Sequence, residues 1–184
     1  MSREEIVIGG FGGQGIILAG YIVGKAAAIY DKKNVTFTQD YGPEARGGAC
    51  RAQVVISDSQ VSYPYVETPS VLAVMSQEAY TKYTPALRPD GCLLIDEELV
   101  KPDKTAREIF AIPATRIAQE LGRAAVANIV MLGFLTAVTK IVSTEAIKKS
   151  VLDSVPKGTG ELNMKAFERG YACGLEKLKA AGKK

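Results

Sequence analysis

An α/β fold is predicted by three observations. Short aliphatic runs with strand character alternate with helical stretches, a glycine-rich turn joins the first run to the first helix, and the last third of the chain has only helical spacing. The expected architecture is a three-layer sandwich around a mostly parallel, partly mixed sheet, with a helical C-terminal third. With 184 residues, of which 47% are hydrophobic and 23% charged, the chain suits one globular domain over residues 1–184, and it shows no repeat or linker.

The elements follow in order. Glu5 to Gly9 is an aliphatic run ending in glycines, and Gly15 to Tyr30 carries Ile16, Ile17, Ala19, Ile22, Val23, Ala26 and Ala27 on one wide apolar face. Asn34 to Thr38 reads as a second strand, returned in parallel to the first by a crossover, which makes a β-α-β unit. Tyr41 to Gly48 contains three glycines and a proline in eight residues and is a loop. Ala49 to Ser57 returns to strand character, and Asp58-Ser59-Gln60 is expected to turn it into Val61 to Val66 as an antiparallel hairpin. Val71 to Met75 and Cys92 to Ile95 are continuous apolar runs of the kind buried on both faces of a sheet, with helix-like Gln77 to Tyr83 and the turn Pro89-Asp90-Gly91 between them. Glu108 to Ile112 is a further strand, and Thr115 to Leu121 is a helix stopped by Gly122. Val126 to Thr139 is apolar on nearly every side and must be buried, either in the domain or under a partner chain. Thr144 is the expected N-cap of Glu145 to Val155, and Glu161 to Leu178 places Phe167, Tyr171, Leu175 and Leu178 on one stripe that can dock on the sheet.

Composition excludes several chemistries. The chain has no histidine, which removes Ser-His-Asp and Cys-His catalysis, histidine zinc sites and imidazole proton shuttling. Cys50, Cys92 and Cys173 are far apart and none belongs to a C-x-x-C pair, so one chain cannot hold an iron-sulfur cluster or a four-cysteine zinc site. Three scattered thiols suit a reducing cytoplasm. Lys and Arg total 23 against 20 Asp and Glu, a net charge of +3, which is too balanced for a nucleic-acid footprint. Ile6 to Gly24 is uncharged over 19 residues, but its seven glycines and Gln14 argue against a membrane span, and no basic n-region precedes it. A cytoplasmic protein that binds neither membrane nor nucleic acid is expected, with no metal site of its own.

Gly10-Phe11-Gly12-Gly13-Gln14-Gly15 fits G-x-G-x-x-G, directly after a strand and opening a helix whose amides can hold an anion. The segment makes the expected fold Rossmann-like. A dinucleotide site would need a carboxylate at the end of the second strand, and Asp40 is the only candidate. Alternatively the glycines only permit tight packing of strand, helix and a neighbouring backbone. A phosphate-loop NTPase is excluded, because Gly24-Lys25-Ala26 lies inside a helix and lacks the metal-binding hydroxyl. In the Tyr41 to Gly48 loop, Glu44 and Arg46 are either charges presented to a ligand or partner, or a surface ion pair of small value. Asn128, the polar exception on an apolar helix, is either a satisfied buried amide or an interface contact.

Taken together, Gly10-Phe11-Gly12-Gly13-Gln14-Gly15-Ile16, Tyr41-Gly42-Pro43-Glu44-Ala45-Arg46-Gly47-Gly48 and Asn128-Ile129-Val130-Met131-Leu132-Gly133 resemble the γ subunit of 2-oxoacid:ferredoxin oxidoreductases, across nearly the whole chain. The second motif looks most like the 2-oxoglutarate enzyme, with the branched-chain oxoacid and pyruvate enzymes as near neighbours. The resemblance implies one γ-type domain and oxidative decarboxylation of a 2-oxoacid with thiamine diphosphate and Mg2+, transfer of the acyl group to coenzyme A, and electron delivery through iron-sulfur clusters to ferredoxin. It also implies α, β and ferredoxin-like δ subunits as partners. No cofactor is expected on this chain alone, since it lacks a Gly-Asp-Gly segment and a cluster-forming cysteine set. The glycine loop (Gly10, Gly12, Gly13, Gln14, Gly15) is implied to meet coenzyme A or a partner, and Tyr41, Glu44, Arg46, Gly47, Gly48 and Asn128 to form an interface or active-site loop. Two readings of other kinds stand beside this one: a free-standing nucleotide-binding oxidoreductase, favoured by Asp40, and a scaffolding module without catalysis.

Overall fold

Ile6, Val7 and Ile8 form the middle of β1 (Arg3–Phe11), and all three are buried. In the computed structural model, which describes residues 3–41, 48–103 and 108–182, β1 is an interior strand of a six-stranded sheet. Its companions are β2 (Asn34–Tyr41), β3 (Ala49–Ser57), β4 (Val71–Val74), β5 (Cys92–Asp96) and β6 (Ile109–Ile112), in the order β2-β3-β1-β4-β5-β6. Strands β1, β4, β5 and β6 pair in parallel, whereas β3 is antiparallel to both β1 and β2. The sheet is therefore mixed, and β2 points the same way as β1 without touching it. The simple β-α-β unit expected from sequence is corrected here: the short Tyr41 to Ala49 connection allows only an antiparallel return, so β3 inserts between β1 and β2.

Both edges of β3 are thereby occupied, and the expected hairpin strand over Val61 to Val66 does not form. That stretch lies against β2 instead, where the Pro64 carbonyl accepts a hydrogen bond from Thr36 Oγ1 at 3.0 Å. Pro64 itself has no N–H to give to a ladder.

The helices are α1 (Ile16–Lys25), α2 (Gln77–Tyr83), α3 (Ala114–Glu120), α4 (Ala127–Thr139), α5 (Thr144–Ser154) and α6 (Gly160–Ala180). A π-helical segment, Ala26–Tyr30, prolongs α1. Strand alternation divides the core in two. Ile6, Ile8, Val54, Ala73 and Leu94 face a core shared with α1, α4, α5 and α6, while Val7, Leu72, Val74, Leu93 and Ile95 face a smaller one closed by Ala79, Tyr80 and Tyr83 of α2. The sheet thus has helices on both faces. Each fully buried Leu, Ile or Val contributes about 1.5–3 kcal/mol by leaving water.

Helix α4 is buried within the domain itself, as its all-round apolar sequence requires. Helix α6 packs mainly against α4 rather than along the sheet. The seam is closed by glycines: a Cβ on Gly133 would stand 2.0 Å from the Phe167 carbonyl oxygen, and one on Gly170 would stand 1.9 Å from that of Val130. Because the contact runs through Gly170 and Gly174, the expected stripe is corrected at Leu175, which is 38% exposed. The N-cap of α5 is also corrected, from Thr144 to Ser143, whose Oγ accepts from the Ala146 N–H at 3.2 Å.

Candidate functional site at the carboxyl edge of the sheet

The shared direction of β1, β2, β4, β5 and β6 brings their carboxyl ends to one edge, which is where open α/β sheets place ligands. The glycine loop leaves β1 at this edge. Gly13 and Gly15 have φ of +97° and +74°, a left-handed backbone that glycine adopts without strain. Gly12 and Gly13 are exposed, and a Cβ on either would have no atom within 4 Å, so this stretch of backbone faces open space. Gly10 differs, because a Cβ there would meet Gln14 Oε1 at 2.5 Å.

Gln14 is engaged within the chain. Its Oε1 accepts from the Phe11 N–H at 2.7 Å and its Nε2 donates to the Met75 carbonyl at 2.8 Å, which ties the loop to the end of β4. Asn128 holds the other side of the loop: its Nδ2 donates to the Gly15 carbonyl at 3.1 Å, and its Oδ1 accepts from the Ile129 N–H at 2.9 Å. At 3% exposure Asn128 is the satisfied buried amide. Two of the three sequence motifs therefore meet, one shaping the other.

Beside the loop lies a cleft of about 180 Å³, lined by Gly13, Gly15, Arg123, Val126, Asn128, Thr159 and Asn163. The amino-terminal ends of α1, α4 and α6 all reach it, and the positive ends of their dipoles together with the exposed Arg123 guanidinium favour an anion, although at α4 the Ala127 N–H is taken by the Ala124 carbonyl and the Ile129 N–H by Asn128 Oδ1. Arg123 escapes sequence reasoning because it follows the helix stop Gly122 as an ordinary loop residue.

The second motif connects β2 to β3 at the same edge. Tyr41 ends β2 at 61% exposure and is paired in register with Cys50, and Gly48 is half-buried. Glu44, Arg46 and Gly47 lie outside the described residues. The base of the loop holds a cluster that the sequence does not announce. Arg51 is paired across the ladder with Asp40, with Nε to Oδ2 at 3.3 Å, and its guanidinium lies 5.3 Å from the centre of the Tyr83 ring. Glu78 Oε1 accepts from the Ala49 N–H at 3.3 Å. Burial pushes the Tyr83 phenol and the Cys50 thiol up from their ordinary values, so neither is an activated nucleophile. Asp40, the one carboxylate suited to a dinucleotide ribose, is held by Arg51 and separated from the glycine loop by the whole of β3.

Cys50, Cys92 and Cys173 belong to β3, β5 and α6, three separate elements. Among the described residues no group of three Cys, Asp, Glu or His is placed to hold a metal ion, and no helix is long and apolar enough to cross a membrane.

Residues 5–173 match the family model of the pyruvate ferredoxin/flavodoxin oxidoreductases. The chain belongs to that family. It is 53% identical over 178 residues to the 2-oxoglutarate synthase subunit KorC of Methanocaldococcus jannaschii, a match covering 95% of each chain. The γ subunit of a keto/oxoacid ferredoxin oxidoreductase from Geobacter sulfurreducens superposes with a TM-score of 0.84 at 43% identity, covering 94% of this chain and 99% of that one. A third similarity is to the 2-oxoglutarate:ferredoxin oxidoreductase of Magnetococcus marinus, solved with 2-oxoglutarate, coenzyme A and succinyl-CoA. It has a TM-score of 0.85 at 25% identity, over 95% of this chain and 31% of that one.

Proposed function

We propose that the chain is the γ subunit of a 2-oxoacid:ferredoxin oxidoreductase acting on 2-oxoglutarate, and that its carboxyl-edge cleft receives the phosphate end of coenzyme A. The observation that carries the reading is the open glycine backbone at Gly12 and Gly13, beside three helix amino termini and Arg123. The near full-length likeness to a 2-oxoglutarate synthase subunit supports the choice of oxoacid. The amides of Gly12, Gly13 and the first turn of α1 would hold phosphate oxygens, and Arg123 would neutralise their charge. Gln14 and Asn128 keep the loop in shape from either side, a positioning role rather than contact with the cofactor. Coenzyme A supplies the thiol that accepts the acyl group. Among the described residues no group of three Cys, Asp, Glu or His is placed to hold a metal ion, and this reading assigns thiamine diphosphate with its Mg2+ and the iron-sulfur clusters to the α, β and δ partner subunits. Arg46 and Glu44, with Tyr41, Gly47 and Gly48, are proposed to face the shared active site.

Reconstitution tests the reading. The chain combined with its partner subunits is expected to reduce ferredoxin at the expense of 2-oxoglutarate and coenzyme A, in preference to pyruvate, while the chain alone is inactive. Full activity of the partner subunits without this chain would overturn it. In the assembled enzyme, Arg46→Ala is expected to raise the KM for coenzyme A or lower turnover roughly tenfold to a hundredfold, the loss of one charge-assisted hydrogen bond, with partial recovery in Arg46→Lys. Unchanged kinetics in an intact complex would leave Arg46 a surface turn residue.

A further inference from the structure

Helix α2 touches both loops at the carboxyl edge. Next to its cap Ser76, the Met75 N–H donates to the Gly9 carbonyl at 2.9 Å and the Met75 carbonyl accepts from Gln14, which fixes the glycine loop to the start of the helix. Further along, the buried Tyr83 ring lies over Gly9, where a Cβ would stand 2.8 Å from it. Gly9 is the recess that lets the ring rest on β1. From there the Tyr83 hydroxyl donates to the Ala49 carbonyl at 3.5 Å while Glu78 accepts from the Ala49 N–H, so α2 meets the first residue of β3 at both its polar groups. Arg51 joins the same helix to both stems of the Tyr41 to Gly48 segment. On β3 it is flanked in register by Gly9 of β1 and by Asp40 of β2, the residue before Tyr41. Its guanidinium is held by the Asp40 charge and the Tyr83 ring, yet its Nε is buried with no acceptor aligned to the N–H. A buried donor without a directed bond costs free energy, so stability does not account for an arginine here.

We propose that Arg51 is a positioning residue for the oxidoreductase reaction, which clamps both stems of the second motif to α2 and so sets that segment at a fixed distance from the glycine loop. The inference rests on the reading that Arg46 faces the shared active site. Arg46 lies between the two stems in sequence, and Arg51 acts through it rather than on substrate or cofactor. A planar guanidinium suits this task, because it pairs with a carboxylate and stacks on a ring at once, whereas the lysine ammonium is a point charge. Displacing reacting groups by about 1 Å can cost on the order of a hundredfold in rate. Asp40 is half exposed, so water can take over its solvation when Arg51 is replaced, and the loss then falls on function rather than on folding.

The test uses the complex reconstituted with Arg51→Met, which keeps the apolar stem and removes the charge, or with Arg51→Lys, which keeps the charge and loses the plane. Arg51→Met is expected to assemble and to unfold at a nearly unchanged urea midpoint. Its kinetics should move as those of Arg46→Ala do, in the same one of kcat and the KM for coenzyme A, by roughly tenfold. Arg51→Lys is expected to recover part of the loss. Since Arg51 acts through Arg46, adding Arg51→Met to Arg46→Ala should cost no more than about twofold further. Unchanged kinetics in Arg51→Met, a division between kcat and KM unlike that of Arg46→Ala, effects that multiply in the double variant, or failure of Arg51→Met to fold or assemble would each overturn the proposal alone. Unchanged kinetics in Arg46→Ala would overturn the reading beneath it, and the proposal with it.

Discussion

Gly133 and Gly12 belong to two of the motifs visible in the sequence, yet they answer to different constraints. At Gly133 and Gly170 a methyl group would enter the opposite backbone, which cannot move aside as a side-chain tip can. Gly133→Ala and Gly170→Ala are therefore each expected to cost about 3 kcal/mol, read as a lowered midpoint of chemical unfolding. A drop under 1 kcal/mol would mean that the α4–α6 seam opens easily. At Gly12 the methyl group meets nothing, so Gly12→Ala should change stability by no more than about 0.5 kcal/mol and show itself in the KM for coenzyme A of the assembled enzyme. Gln14→Ala removes two internal hydrogen bonds and should destabilise by about 1–3 kcal/mol even in the isolated chain. The sequence marks Gln14 and Asn128 by their contrast with glycine and apolar neighbours. It does not give their partners, because Met75 and Gly15 are 61 and 113 positions away. The Arg51, Tyr83 and Asp40 cluster has no sequence signal, since it depends on strand register.

The elements themselves were legible wherever local pattern decides them. Helix α2 occupies the residues its spacing indicates, and Ser76 caps it by accepting from the Ala79 N–H at 3.2 Å. The failures lie where one element depends on another. Val61 to Val66 has strand composition, but no edge of β3 remains for it, and Leu175 belongs to an apolar stripe that Gly170 and Gly174 displace. A prediction at this scale concerns α3, whose N-cap Pro113 offers no side-chain acceptor. The wholly buried Asp96 at the end of β5 substitutes, with Oδ2 accepting from the Thr115 N–H at 2.9 Å and from its hydroxyl at 2.6 Å, and Oδ1 accepting from the Glu98 N–H at 3.2 Å. Asp96→Ala leaves three part-buried donors without this partner and is expected to lower stability by about 2 kcal/mol, with early loss of amide protection in α3. Retained protection there would show that packing of Ala114, Ile117 and Ala118 suffices.

Across the whole molecule, the absence of histidine removes the group that ordinarily titrates between pH 5 and 8. Stability is expected to be flat through neutrality and to fall at both ends. Burial raises the Cys50, Cys173 and Tyr83 groups, and the hydrogen bond to Asp153 raises the Tyr30 phenol. With folded values above the ordinary 9.0 and 10.0, the folded chain keeps these protons longer, so their contribution is whole below pH 9 and is lost as pH rises through the folded values. At the acid end, Tyr30 and then Lys25 lower Asp153, and Lys165 lowers Glu161. Their contribution is present above the ordinary values of 3.8 and 4.5 and fades as pH falls through the lower folded ones. Urea unfolding at a series of pH values would show this plateau, and a step between pH 6 and 7 would contradict it. The position of β1 bears on how the molecule comes into being. The earliest described strand leaving the ribosome is an interior one, and its neighbours are β3 and β4, so Ile6, Val7 and Ile8 have no ladder partner until residues 49–74 have been synthesised. For that interval the nascent chain carries a naked aggregation-prone segment, which makes this a protein whose yield in cells should depend on chaperone capacity and on translation speed over its first half.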